Sequence, residues 1–444
     1  MRKSLFEIMH RETLTRLKIS HDWRTNRCHL HAAKEWDPHL KWSNYNKTFS
    51  LATIFSADDR YYNDAETRRL FKKHKSLDTL QVVLDLLRKG RHQFIECFYC
   101  GALGIRFMNN VHSDVLGLNN RRQAIRAGGI RRHGLNEAEC EVIVDGLNLA
   151  RGMSFKNFAA RVPYGGAKIT VMMNPIDLND LDSVGFLAYA VDRSRIFTGP
   201  DMGFPTALAD VMKEHFSLNI TGGPQGPLGP TGLPTAYGVY LAVKQAARFK
   251  FGTERLAARK IAVQGLGSVG HALSEHFVKE KASLIVTDTD TRSCAALKEE
   301  HPTADITVVK PEEILFVEAD IFSPCAVGGI LTKEIIPKLR FKIILGCANN
   351  QLKASSQQEE LQLATALADR GILFQVAWWH NLGGVLCGRE EYERQQQASM
   401  KDVLKKVEEI CTQYTWENLN QARTLGITPT ENAYRSVENI IYGN

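Results

Sequence analysis

Short apolar runs alternate with helix-period segments through the second half of the chain. Residues 236–247 carry apolar positions at helical spacing, 260–264 read as a strand, 269–281 as a helix and 283–287 as a second strand. Further strands are expected near 319–323, 342–346 and 372–376, and the tail from about 398 to 444 is helical and amphipathic. Strands separated by helices predict a parallel, doubly wound sheet. Residues 92–218 also mix short strands and helices, with helices over 135–153 and 182–192, a strand at 94–100 and a turn at 198–203. An amphipathic helix over 77–87 stops at Gly90. Residues 1–75 show no clear period, yet contain Trp23, Trp36 and Trp42, and are too aromatic to be plainly disordered.

Residues 221–234 hold four prolines and five glycines. Such a stretch is expected to lack regular structure and to mark a domain boundary. The chain therefore divides into an N-terminal extension at 1–75, a first domain at 76–220 and a second domain at 221–395. C-terminal helices at 396–444 are expected to pack back on the first domain. The fold class is α/β, with two domains separated by a cleft and the second of Rossmann type.

Composition adds limits. The 444 residues are 44% hydrophobic and 24% charged, as in an ordinary soluble protein, and no apolar run reaches membrane-spanning length. The net charge of +7 sits in residues 1–90, which hold 18 Lys/Arg against 11 Asp/Glu while the rest balances at 38 against 38. Acids are interspersed among these bases, so a solvated surface is favoured over a nucleic-acid or membrane partner. The nine cysteines, Cys97-x-x-Cys100 included, read as reduced thiols of a cytoplasmic protein. His29 and His31 beside Cys28 lack a second cluster to complete a metal set, so no metal is expected.

Two constellations carry chemistry. The first is Gly265-Leu266-Gly267-Ser268-Val269-Gly270, between an expected strand and an expected helix. The first glycine permits a tight turn, the second admits a pyrophosphate and the third lets helix and strand pack. Asp288, at the end of the next strand, is placed to accept hydrogen bonds from the adenosine ribose, which favours NAD over NADP. The second constellation is a pair of lysines, Lys156 and Lys168, around a Gly165-Gly166 turn. One lysine is suited to a carboxylate. The other, desolvated at the start of a buried strand, would have a lowered pKa and serve as an acid/base, with Asp201 as a proton relay.

From about residue 92 to 440 the chain resembles the glutamate/leucine/phenylalanine/valine dehydrogenases, most closely the leucine/phenylalanine branch. The matching segments stand in the family's order: Ala127-Gly-Gly-Ile-Arg131, Gly152-Met-Ser-Phe-Lys-Asn157, Pro163-Tyr-Gly-Gly-Ala-Lys168, Pro200-Asp-Met-Gly203, Thr235-Ala-Tyr-Gly-Val239, Gln264-Gly-Leu-Gly-Ser-Val-Gly270, Pro324-Cys-Ala326, Ala348-Asn-Asn-Gln-Leu352 and Asn381-Leu-Gly-Gly-Val385. The resemblance implies that Lys156 holds the substrate α-carboxylate, Lys168 is the catalytic lysine and Asp201 moves protons to and from the amino group. It implies Gly128, Gly129, Met153 and Val385 at the substrate, with Thr235 and Asn349 near the nicotinamide and Cys325, Ala326, Ala348 and Asn381 on the cofactor side. Where the glutamate enzymes grip the side-chain carboxylate with a lysine and a serine, this chain has Ala127 and Gly388. The family's Pro-Asp before the Asn-x-Gly-Gly segment is replaced by Val376-Ala377, followed by Trp378 and Trp379.

The implied activity is reversible, NAD-dependent oxidative deamination of a large apolar or aromatic L-amino acid to its 2-oxo acid and ammonia, by a homo-oligomer, with 76–220 as the substrate-binding and oligomerisation domain and 221–395 as the NAD-binding domain. Two rivals stand beside it. One is a non-catalytic NAD-binding regulator on the same fold. The other is a 2-hydroxy-acid dehydrogenase, which the two-lysine set disfavours.

Overall fold

The computed structural model describes residues 4–37, 40–45, 59–114, 126–257 and 259–443. The chain forms two compact units. The first comprises Met1–Phe158, Val162–Gly229 and Glu391–Ala398; the second comprises Ala159–Arg161, Pro230–Glu390 and Ser399–Asn444.

The first unit is built on a nine-stranded sheet. Its strands are β1 (Arg16–Asp22), β2 (Arg27–Lys34), β3 (Arg60–Tyr62), β4 (Phe94–Cys100), β5 (Ile105–Ser113), β6 (Arg126–Ala127), β7 (Ile130–His133), β8 (Gly165–Met172) and β9 (Ile196–Phe197). They run in the order β3-β2-β1-β4-β5-β8-β6-β9, with β7 also paired to β8. The N-terminal segment is thus no appendage. β1 lies antiparallel to β4, with Leu17 opposite Cys97, so three strands of the sheet precede residue 63. β1 alternates buried Leu17, Ile19 and His21 with less buried neighbours, a period-2 pattern that the polar content of the segment masks.

Helices cover both faces of this sheet. Leu5–Arg11 (α1), capped by the Ser4 hydroxyl, packs with Leu77–Gly90 (α2) and Glu139–Ala159 (α3) over Leu17, Ile95, Met108 and Met172. Leu181–Arg193 (α4) and Thr206–His215 (α5) cover the other face, where Trp36 and Trp42 meet Phe186 and Tyr189 edge-on or tilted. Cys97 belongs to the first of these cores and Cys100 to the second. Strand pleating sends the two thiols to opposite faces.

The second unit holds a six-stranded sheet, all parallel: β10 (Lys260–Gln264), β11 (Ser283–Thr287), β12 (Ile306–Val308), β13 (Ile321–Pro324), β14 (Ile343–Ile344) and β15 (Leu373–Phe374). The order β12-β11-β10-β13-β14-β15 reverses direction at β10, the doubly wound arrangement of a Rossmann domain. Two corrections to the sequence reading arise here. The Pro/Gly-rich stretch is irregular only as far as Pro230, for the helix Gly232–Phe251 (α6) includes Pro234 in its first turn. A proline there sacrifices no intrahelical bond. The C-terminal helices Met400–Leu425 (α7) and Pro429–Tyr442 (α8) join the second unit, not the first. α7 lies along α6 so closely that a Cβ on Gly238 would meet the Cys411 sulfur at 3.0 Å. Among the described residues no helix is long and apolar enough to cross a membrane.

Candidate active site

Lys168 sits in β8, whose eight residues are all buried. Gly165 and Gly166 are not a turn; they are the first two residues of that strand. A Cβ on Gly166 would lie 2.1 Å from the Ser154 nitrogen, and one on Gly165 would lie 2.0 Å from the Ser113 carbonyl oxygen. The glycines therefore let α3 and β5 close onto the strand beside Lys168. The lysine is 5% exposed and its ammonium donates to the Asp201 carboxylate. Burial pulls the Lys168 pKa below the ordinary lysine value, and Asp201 offsets only part of that.

Asp201 is held by its own backbone, whose N–H donates to the Ile130 carbonyl at 3.0 Å. Its carboxylate also faces Arg131 at 3.2 Å, and Arg131 forks onto both oxygens of Asp145 at 3.0 and 3.1 Å. Burial alone would raise the Asp201 pKa; the charge and hydrogen bond of Lys168, helped by Arg131, hold it below the usual carboxylate range. Arg131 and Asp145 were not singled out from sequence. The available signal was Arg131 closing the Ala127-Gly-Gly-Ile-Arg131 segment.

Gly129 leaves the space beside the ammonium, for a Cβ there would come within 2.8 Å of the lysine nitrogen. A Cβ on Gly128 would overlap the Ala167 carbonyl oxygen at 1.7 Å, so β8 requires glycine there too. Met153 and Lys156, both half-buried, lie on α3. That helix is clasped to β8 by the Asn157 amide, which donates to the Gly165 carbonyl at 2.8 Å and to the Ala127 carbonyl at 3.4 Å. His112 meets the Ser154 hydroxyl at 2.8 Å, and His92 donates to the Leu147 carbonyl at 2.8 Å. Burial lowers the His92 pKa to about 4 and also pushes His112 down, so both braces are neutral at neutral pH. Ala127 is buried in β6. Its neighbour Arg126 is committed elsewhere, to Asp114 at 3.2 Å and the Ser194 carbonyl at 3.1 Å. Val385 and Gly388 stand on the helix Gly383–Arg394, in the part belonging to the second unit.

In the second unit each fingerprint glycine has its own reason. Gly265 has φ of +91°, which disfavours any side chain. Gly270 packs so tightly that its Cβ would sit 1.9 Å from the Gly265 carbonyl oxygen. Gly267 has nothing within 4 Å of a Cβ, leaving open space before the helix Ser268–Lys279. No side chain caps that helix, so the N–H groups of its first turn, which Ser268 and Val269 open, are left for an anion. The Leu266 N–H donates to Asp288 Oδ2 at 2.6 Å, tying the loop to the end of β11. Arg292 is paired with Asp290 at 2.9 Å and stays exposed. Beyond β13 and β14 come Cys325, Ala326, Ala348 and Asn349. The Asn381 amide donates to Asn349 Oδ1 at 2.9 Å and to the Cys347 carbonyl at 3.0 Å. Gly383 lets its segment approach α6, since a Cβ there would lie 2.2 Å from the Thr235 nitrogen.

A buried polar chain, not foreseen from sequence, supports this edge. His380 Nε2 donates to the Gly346 carbonyl at 3.1 Å while its Nδ1 accepts from Gln375 at 3.2 Å. Gln375 accepts from Asn418 at 2.9 Å, and Asn418 accepts from Asn432 at 2.9 Å. The turn, the open space over Gly267, the free N–H groups and the strand-end carboxylate fit a dinucleotide. Asp288→Ser should weaken NAD binding and narrow the preference over NADP, because it removes both the ribose acceptor and the charge that repels a 2′-phosphate. Initial rates with each cofactor test this; wild-type protein preferring NADP would contradict the assignment.

A sequence model of the glutamate/leucine/phenylalanine/valine dehydrogenase family matches residues 282–440. Phenylalanine dehydrogenase of Lysinibacillus sphaericus is 35% identical over 71% of this chain and 81% of its own length. The chain belongs to the glutamate/leucine/phenylalanine/valine dehydrogenase family. Valine dehydrogenase of Streptomyces albus is 33% identical over 70% of the chain and 82% of its own. The crystal structure of L-tryptophan dehydrogenase from Nostoc punctiforme superposes with a TM-score of 0.68 at 27% identity, covering 81% of this chain and 98% of that one. Members of the family are NAD(P)-dependent oxidoreductases acting on the CH–NH2 group of amino acids. In this dehydrogenase Val376-Ala377 leads into a 3-10 turn, Ala377–Trp379. Both tryptophans face the C-terminal helices: Trp379 Nε1 donates to the Tyr414 carbonyl at 3.1 Å, and Trp378 packs edge-on to Tyr434 at 5.3 Å.

Proposed function

We propose that the protein is an NAD-dependent L-amino-acid dehydrogenase. It converts a large apolar or aromatic L-amino acid to its 2-oxo acid and ammonia, reversibly. The observation that carries this reading is the buried Lys168 ammonium against Asp201. Lys156 holds the substrate α-carboxylate. Asp201 takes a proton from the substrate ammonium. When bound, NAD accepts the hydrogen and electron pair that leave Cα. Lys168, neutral, then removes a proton from the water that attacks Cα, and returns it as ammonia departs. Arg131 holds Asp201 in place and adds to the effect of Lys168 in favouring its ionised form.

Among the described residues, the two positions at which the glutamate enzymes grip a side-chain carboxylate supply no cation or hydroxyl, which supports an apolar substrate. Ala127 offers a methyl group, Gly388 offers nothing, and Arg126 is bound to Asp114. Trp378 and Trp379 are engaged with the C-terminal helices of the second unit. A cytoplasmic homo-oligomer accords with nine free cysteines and with the usual closed symmetry of soluble assemblies. The test is direct. Purified protein with NAD and a panel of L-amino acids should form NADH, and NADH oxidation with the matching 2-oxo acid should require ammonium. No NADH from any amino acid would refute the reading.

A further inference from the structure

Cys325 and Cys347 stand just past the ends of neighbouring parallel strands, β13 and β14. The Ala348 N–H donates to the Pro324 carbonyl at 3.0 Å, so the two segments still run side by side where the cysteines occur. The Cys347 thiol donates to the Cys325 carbonyl at 3.8 Å, and the register of β13 and β14, carried three residues further, sets Cys347 beside Cys325. Both are half-buried, as are Cys28 and Cys140, whereas Cys97, Cys100, Cys294, Cys387 and Cys411 are buried.

The pair lies where cofactor-side groups meet. A Cβ on Gly270 would come within 3.2 Å of the Cys325 Cβ, so Cys325 backs directly onto the fingerprint. The Cys347 carbonyl accepts from Asn381, whose amide also reaches Asn349. The hydrogen bond with Cys347, together with burial, holds the Cys325 thiol well above its usual range. Either sulfur can make the first attack once it loses its proton, since the thiolate is the nucleophile.

We propose that Cys325 and Cys347 form a dithiol modification site, closed into a disulfide by a hydroperoxide, and that closure displaces the cofactor edge and weakens NAD binding. The chemistry balances. Taking Cys347 first, its sulfur attacks the peroxide, the O–O bond breaks, and a sulfenic acid forms with release of water. The Cys325 sulfur then displaces the hydroxyl from Cys347, giving the S–S bond and a second water. Two thiols are oxidised and one hydrogen peroxide becomes two waters. A small thiol reductant reverses the closure. Only the effect on NAD rests on the functional reading above; the disulfide does not.

The experiment uses the full chain. Wild-type protein is treated with hydrogen peroxide, alkylated and digested with trypsin. Cys325 is the sole cysteine of the tryptic peptide 299–333 and Cys347 of the peptide 343–353. A species two hydrogens lighter than the sum of these peptides, lost on reduction with dithiothreitol, is expected. NADH affinity, read by fluorescence titration, should fall on oxidation and return on reduction, and prior NADH should slow the cross-link. Cys347→Ala should bind NADH before and after peroxide alike, with Cys347→Ser as the second variant should alanine disturb folding. No 325–347 peptide, a cross-link without change in NADH affinity, or variants as peroxide-sensitive as wild type would each overturn the proposal. Failure of the dinucleotide reading itself shows separately, as unoxidised protein that binds no NADH.

Discussion

Lys168→Ala is expected to lower kcat for oxidative deamination by about 100- to 10,000-fold, the usual contribution of a positioned acid/base. NADH affinity should not change, because Lys168 belongs to the first unit and the fingerprint to the second. The pH profile carries the sharper test. The base must be neutral to act, so kcat/KM rises as Lys168 loses its proton. Burial lowers the Lys168 pKa, so the rise falls below the pH at which an exposed lysine titrates. Asp201 works in the opposite direction, stabilising the ammonium. In Asp201→Asn the residual activity should therefore rise at still lower pH. Lys156→Ala should act differently, mainly raising KM for the amino acid. Near-wild-type kcat in Lys168→Ala protein would sink this mechanism.

Glutamate is expected to be a poor substrate, with phenylalanine or tryptophan preferred over valine. A γ-carboxylate at Ala127 would be buried without a cation, since Arg126 is itself buried and paired with Asp114. An unpaired buried charge costs several kcal/mol, so kcat/KM for glutamate should lie on the order of a thousandfold below that of the best substrate. Discrimination among apolar side chains is gentler, about 1–3 kcal/mol per methylene-sized difference in filling. The ranking of kcat/KM across glutamate, valine, leucine, phenylalanine and tryptophan decides the matter. A clear glutamate preference would mean that Ala127 and Gly388 do not face the side chain.

What was legible in the sequence follows from how local each signal is. β10 and β11 lie at the expected residues, because short apolar runs bounded by glycine or charge have one reading there. The fingerprint was legible because three glycines at fixed spacing answer three separate steric demands. β1 and β2 were not legible. Their inward residues alternate with Arg16, Lys18 and His29, and the partner of β1 on one side, β4, lies some 75 residues further along the chain. At the site, Lys168 and Asp201 were legible from their motifs, whereas the Arg131–Asp145 fork depends on a helix crossing a sheet. The Gly165-Gly166 pair looked like a turn because glycines often make turns; here they are needed for close packing, which only the three-dimensional neighbours reveal. The C-terminal helices gave their amphipathic period but not their docking site, since an apolar stripe does not name its partner.

The return of Glu391–Ala398 to the first unit bears on how the chain is made. Glu391 is buried there against Lys213 at 2.9 Å, Tyr392 stacks on Phe197 at 4.5 Å, and Glu393 accepts from the Tyr164 hydroxyl at 2.8 Å. A ribosome that has released residues 1–229 has released a sheet whose Phe197 lacks its stacking ring and a helix α5 whose Lys213 lacks its counter-charge. Some 160 further residues, the whole parallel sheet among them, must emerge before that gap is filled. Vectorial synthesis thus leaves the first half waiting on the second, and a nascent chain exposes this patch for as long as translation of the second sheet lasts.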